Sequence, residues 1–247
     1  MVRKPKAADA APATPKDARG KIIEALMALA GERDFADITI AEIVEKAGVS
    51  LADFREAFAS KGAVLAGFAR QTDLAVLRGG GDDMAEEASK DRLFDVLMRR
   101  LDVMAPHKAA LKNILHWVRR DPMAAAALNG VALNSMRFML EAAKLSSEGP
   151  AGGLKLQGLV FAWSRVLGVW LRDEDSGLAK TMAALDMELE RGAMLSARAD
   201  DFARLAAPFR NLCESLMGAR QGWRDRMRRR ERWARGERDG EAAAAAS

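Results

Sequence analysis

Three observations predict an all-α fold. Apolar residues recur three and four positions apart over nearly the whole of the 247-residue chain, the spacing that lines one face of a helix. Glycine and proline fall mostly between these runs, where they end elements, and no convincing segment alternates apolar and polar residues as a half-buried strand does. With 49% hydrophobic and 30% charged residues, the chain has the balance of a globular protein able to bury one substantial core.

The elements follow in order. A first helix is expected over about 19–31, placing Ile22, Ile23, Leu26, Met27 and Ala30 on one face, and the stretch 34–38 breaks it. Thr39 then caps a helix over 40–46, because Glu42 stands three residues further on, the spacing of a capping box. Gly48 ends that helix, Ser50 caps a short one over 51–58, and Ser60 caps a fourth that runs to about Arg78. After the glycine-rich, acidic joint 79–83 come longer apolar helices over 85–104, 106–119, 121–145, 152–172, 175–196 and 199 to about 235, with Pro106, Pro122 and Pro150 at starts or breaks. Four regions result: a disordered basic arm over 1–18, a first domain over 19–78, a second over 84–218, and an arginine-rich helix with an alanine-rich disordered tail over 219–247.

The formal charge of +4 is concentrated at the two ends. Arg3, Lys4, Lys6, Lys16 and Arg19 outweigh Asp9 and Asp17 over residues 1–20, and nine arginines between Arg220 and Arg238 outweigh Asp225, Glu231, Glu237 and Asp239. The middle of the chain is slightly acidic, so long-range attraction to a polyanion must come mainly from the ends.

Several function classes are excluded or disfavoured. The most apolar run, 156–171, is interrupted by Gln157, Ser164 and Arg165, which leaves no span of the length a bilayer requires. The first twenty residues lack the apolar core of a secretory signal, which predicts a cytoplasmic protein. A single cysteine, Cys213, and two histidines, His107 and His116, offer no disulfide framework and little for a metal. His107 follows a proline and is expected to face solvent, whereas His116 beside Trp117 is expected to be partly buried. The run Asp173-Glu174-Asp175-Ser176 lacks the spaced ligands of a calcium loop and forms an acidic turn and cap before the helix that follows. No nucleophile, base and acid share a diagnostic spacing, so neither an enzyme nor a cofactor is expected.

The most specific motif lies in the first domain. Helix 40–46, the turn Ala47-Gly48-Val49 and helix 51–58 have helix-turn-helix geometry: Gly48 supplies the left-handed turn, Val49 plugs the angle, and Ala41 and Ala47 are small where the helices approach. The residues Thr39-Ile40-Ala41-Glu42-Ile43, Ala47-Gly48-Val49-Ser50, Phe54, Phe58-Ala59-Ser60-Lys61 and Leu65, preceded by a helix ending in glycine and by Phe35, resemble the TetR family of bacterial regulators over about 19–70. That resemblance implies an all-helical, ligand-responsive homodimer that binds DNA through its N-terminal domain, with a larger ligand-binding domain and two late helices forming a four-helix dimer interface, here within 152–196. It assigns DNA contacts to Thr39, Ser50, Leu51, Ala52, Asp53, Arg55 and Lys61. The sequence departs from the family on the reading surface, since Asp53, Arg55 and Ala57 stand where a hydroxyl, a tyrosine and an aromatic or histidine are usual. A carboxylate near phosphate costs attraction, although Asp53 could accept from a cytosine amino group.

The later helices carry a second resemblance. The runs Asp91-Arg92-Leu93-Phe94-Asp95, Arg99-Arg100-Leu101-Asp102 and Met104-Ala105-Pro106-His107-Lys108, then Trp163 to Trp170, Asp173 to Ser176 and Thr181 to Asp186, are similar to the accessory lipid-binding proteins of ubiquinone biosynthesis. Those proteins have a TetR-like fold and present lipid precursors to a hydroxylase without regulating transcription, so this resemblance implies the alternative of a lipid-binding accessory protein at the membrane surface with no sequence-specific DNA binding. The resemblance implies a cavity for a hydrophobic small molecule or lipid among Leu115, Trp117, Met136, Phe138, Met139, Leu159, Phe161 and Trp163, although methionine and tryptophan at helical spacing are also ordinary core residues. Three readings of the arginine-rich end stay open: peripheral contact with an anionic membrane through Trp223, Met227 and Trp233, a grip on nucleic-acid phosphate, or a solvated helical extension.

Overall fold

The computed structural model describes residues 15–80, 86–148 and 152–194. Nine α-helices lie among these residues and no strand does. They are α1 (Pro15–Glu32), α2 (Ile40–Ala47), α3 (Leu51–Ala57), α4 (Lys61–Arg78), α5 (Ser89–Met104), α6 (Lys108–Arg120), α7 (Pro122–Ala142) and α8 (Gly152–Trp170), followed by α9, described over 179–194. The helix expected over 199 to 235, Cys213 and the arginine-rich end lie outside the described residues.

Local chemistry sets the boundaries. Pro15, whose missing N–H costs nothing in a first turn, opens α1 four residues before the expected start. Asp34 accepts from the Ala36 amide and turns the chain into one 3₁₀ turn, Phe35–Asp37, which plants Phe35 in the core with no exposed surface. Asp121 caps α7 by accepting from the amides of Met123 and Ala124. That helix stops short of residue 145 because Lys144 takes a left-handed φ of 55°, while the Lys144 and Leu145 amides bond back to Glu141 and Leu140. Helix α9 begins at 179 and not at 175. The Asp175 carboxylate holds the amides of Gly177 and Ala179, and the Asp173 carboxylate accepts from both the amide and the hydroxyl of Thr181.

One buried cluster runs from Ile22 on α1 to Leu189 on α9. Ile22, Ile23, Leu26, Met27 and Ala30 are all buried, as the spacing predicts. Helix α1 packs on both α2 and α6, and Asn113 of α6 donates to the carbonyl of Ala30 at 2.8 Å. Helix α4 packs on α5 and α7, and α7 packs on α8.

Two histidine expectations are corrected. A 3₁₀ turn, Ala105–His107, folds His107 back over α4, where it packs edge-on against Phe68 with ring centroids 5.2 Å apart and is only 22% exposed. His116 is exposed beside Arg120, because its neighbour Trp117 takes the inward side and stacks on Phe35 at 4.5 Å. Ala41 is also exposed and does not line the helix crossing, whereas Ala47 and Val49 are half-buried against the core.

A buried polar cluster ties four helices together. Arg100 of α5 pairs with Asp73 of α4, and Ser135 of α7 donates to the same carboxylate oxygen at 2.6 Å. The Arg100 guanidinium also reaches Met139 Sδ at 3.9 Å and lies 5.7 Å from the ring centre of Trp163 on α8. Burial pushes the Arg100 pKa below its ordinary value, opposed by the charge of Asp73.

Candidate nucleic-acid interface

The two helices of the motif are built by reciprocal caps. Thr39 Oγ1 accepts from the Glu42 amide while Glu42 Oε2 accepts from the Thr39 amide and hydroxyl. One helix later the same box recurs: Ser50 Oγ accepts from the Asp53 amide, and Asp53 Oδ2 accepts from the Ser50 amide at 2.9 Å and hydroxyl at 2.6 Å. Between them Gly48 sits at φ 62°, ψ 37°, in the left-handed region where a side chain would be strained. Ion pairs of Arg33 with Glu42 and of Lys46 with Glu32 fasten α2 to the end of α1. Glu42 is held at a pKa of about 2, first by the Thr39 amide and then by Arg33, and Asp53 is held below its ordinary value by Ser50.

The sequence-predicted contact residues therefore divide into two groups. Thr39 and Ser50 spend their hydroxyls on caps, and Asp53 turns its carboxylate back onto Ser50. Lys61 Nζ donates to the carbonyls of Phe35, Ala36 and Ile38 at 2.9, 3.0 and 2.8 Å and lies 4.9 Å from the Phe35 ring centre. Its pKa is lowered by burial, against the opposing pull of Asp37 and Asp34. The second group points outward: Leu51 is 64% exposed, and Ala52 and Arg55 are exposed with Glu56 on the same face of α3. Among the described residues Arg55 has no hydrogen-bond or ion-pair partner. An open depression of about 470 Å³ lies along this face, lined by Ile40, Leu51, Ala52, Phe54, Arg55 and Phe58.

Arg19 has a role that the sequence did not suggest. Placed at the end of the basic arm, it donates to the carbonyl of Ala57 and lies 4.2 Å over the Phe58 ring, tying α1 to the C-terminal end of α3. The unsatisfied carbonyls and partial negative charge at a helix end account for the attraction.

The architecture can be matched to known structures. The solved TetR transcriptional regulator from Nitrosomonas europaea aligns with a TM-score of 0.57 at 18% identity, covering 71% of this chain and 98% of that one. The fold is the TetR-regulator fold. A TetR regulator from a Rhodococcus species gives 0.52 at 21% identity over 72% of this chain and 96% of its own, and a TetR-family regulator from Streptomyces coelicolor gives 0.50 at 16% over 76% and 83%. No family model and no curated protein sequence matches the chain. Helix α2, the left-handed turn at Gly48 and α3 have helix-turn-helix geometry.

The residues expected to line a ligand cavity also separate. Met136, Met139, Leu159 and Trp163 are buried, Met139 and Trp163 beside Arg100, and Leu115 is half-buried. Trp117 instead packs against Phe35, between α1 and α2, and Phe138 and Phe161 are exposed by 44% and 62%. Among the described residues no helix is long and apolar enough to cross a membrane.

Proposed function

We propose that this chain is a TetR-type transcriptional regulator: a non-enzymatic, cytoplasmic homodimer that reads DNA with α3 and responds to a hydrophobic small molecule. The observation that carries the reading is the doubly capped α2–α3 unit, turned at Gly48, with Leu51, Ala52 and Arg55 left on its outer face. A fixed helix with an exposed side able to enter the major groove is what sequence reading requires. Leu154 and Phe161 on α8 and Met187 and Met194 on α9 are exposed apolar residues at seven-residue spacing, which supports a second copy docking through this region. Met136, Met139, Leu159 and Trp163 support a hydrophobic ligand, since thioethers repack readily around an apolar guest. Ligand entry would then tilt the paired N-terminal domains and change the separation of their reading helices, which must match half-sites about one DNA turn apart.

The test is selection of bound fragments from random or genomic DNA by the purified chain at about 50 and 200 mM salt, a range that separates phosphate attraction from base reading. A palindromic motif retained at the higher salt is expected. Binding without a motif that vanishes with salt would overturn the proposal.

A further inference from the structure

The polar side chains that a reading helix could offer to base edges are largely consumed inside this motif. The hydroxyls of Thr39 and Ser50 each donate to one carboxylate and accept from one amide, and the Lys61 ammonium is spread over three carbonyls. What remains outward on α3 is a pair of apolar residues, Leu51 and Ala52, followed by a pair of opposite charges, Arg55 and Glu56. Leu51, at the first position of the helix, leaves 64% of its surface in water. Ala52 stands beside it and Arg55 one turn further on, along the same open apolar depression.

The major-groove edge of DNA has one prominent apolar feature, the thymine C5-methyl, and one preferred arginine partner, the guanine N7 and O6 pair. Resting on the regulator reading above, we propose that Leu51 and Ala52 read thymine methyl groups while Arg55 takes a neighbouring guanine. Specificity in this protein is then carried by apolar contact with one charged anchor, and not by the hydroxyl and carboxylate groups of Ser50 and Asp53. Arg55 also supplies the positive charge that brings this face to the duplex, because Glu56 beside it and the capped acids behind it do not.

The experiment uses the full chain and the duplex obtained by selection, with each thymine replaced in turn by deoxyuridine. The replacement removes only a methyl group, and because it is made in the DNA it cannot disturb folding. Affinity should fall by about fourfold at one or two positions of each half-site, the value for losing one buried methyl-sized group. With Leu51→Ala the two duplexes should bind alike at one of those positions, and the variant should unfold at the same denaturant concentration as the parent. Equal affinity of the parent protein for the thymine and uracil duplexes would overturn the inference and leave the regulator reading standing. Failure to select any motif would overturn both, and would point to another occupant, such as a protein partner, for this apolar face.

Discussion

Removing the Asp73 carboxylate tests the buried cluster that joins α4 to α5 and α7. In Asp73→Ala the Arg100 guanidinium keeps its charge but loses its counterion, with a side chain just 6% exposed and a buried Nε that has no partner among the described residues. Ser135 loses its acceptor as well. Breaking one side of a buried ion pair costs about 3–5 kcal/mol, because the remaining charge is uncompensated. For a chain of this size that lowers the thermal midpoint by roughly 6–20 °C. The double variant Asp73→Leu, Arg100→Met removes both charges at similar volume and should return close to parental stability, since apolar replacement of a whole buried pair is often neutral. Urea and thermal unfolding of the parent, Asp73→Leu, Arg100→Met and the double complete the cycle. A single variant within about 1 kcal/mol of the parent would refute the reasoning, as the penalty for an orphaned buried charge is larger than that. A double variant as unstable as the singles would trace the loss to packing and not to charge.

Three further perturbations address α2, α4 and their surroundings. Lys61→Met keeps the aliphatic stem but removes the ammonium from three carbonyls; a loss of about 1–3 kcal/mol by urea unfolding is expected for bonds made by a charged donor, with DNA affinity per folded molecule unchanged. A drop in DNA affinity without a loss of stability would return Lys61 to the phosphate backbone. Gly67→Ala puts a Cβ 2.7 Å from Cε1 of Phe58 and 3.3 Å from Cδ1 of Ile23, so the overpacking penalty of about 1–3 kcal/mol should outweigh the gain in helix propensity; a variant more stable than the parent would contradict this. The Glu42 carboxyl, held at about 2 against an ordinary 4.5, contributes stability that is fully present above about 4.5 and is lost as pH falls toward about 2. The parental unfolding midpoint should therefore drop across that window more steeply than that of Glu42→Gln, and parallel pH profiles would show that the cap and Arg33 do not hold the charge.

Local signals placed α2, α3 and α4 closely, because caps and a glycine turn act within four residues of themselves. Thr39 with Glu42, Gly48, Ser50 and Ser60 each mark a boundary found in the structure. The starts of α5 and α9 were harder to place. Asp175 looks like a cap for a helix starting beside it, yet its carboxylate reaches the amides of Gly177 and of Ala179, the first residue of α9. Side-chain partners at long range were not legible. Lys61 follows a cap and reads as a surface lysine until the chain brings the carbonyls of Phe35, Ala36 and Ile38 over it. Asp53 stood out as a candidate base contact, but the same Ser-x-x-Asp spacing that makes a capping box accounts for its geometry. The buried ion pair did leave a trace in the sequence. Arg100 falls on the stripe formed by Leu93, Leu97, Leu101 and Met104 and interrupts an apolar face, which signals a buried charge in need of a partner. Nothing in the sequence names Asp73 as that partner.

The central claim, that α3 reads DNA, is tested most directly by titrating the selected duplex and a shuffled duplex of the same composition with the parent chain and with Arg55→Ala over a range of salt. The account predicts that the parent prefers the selected duplex by about 10³-fold or more, and that Arg55→Ala loses most of that preference while unfolding like the parent. Equal affinities for the two duplexes, falling in parallel with salt for both proteins, would contradict it.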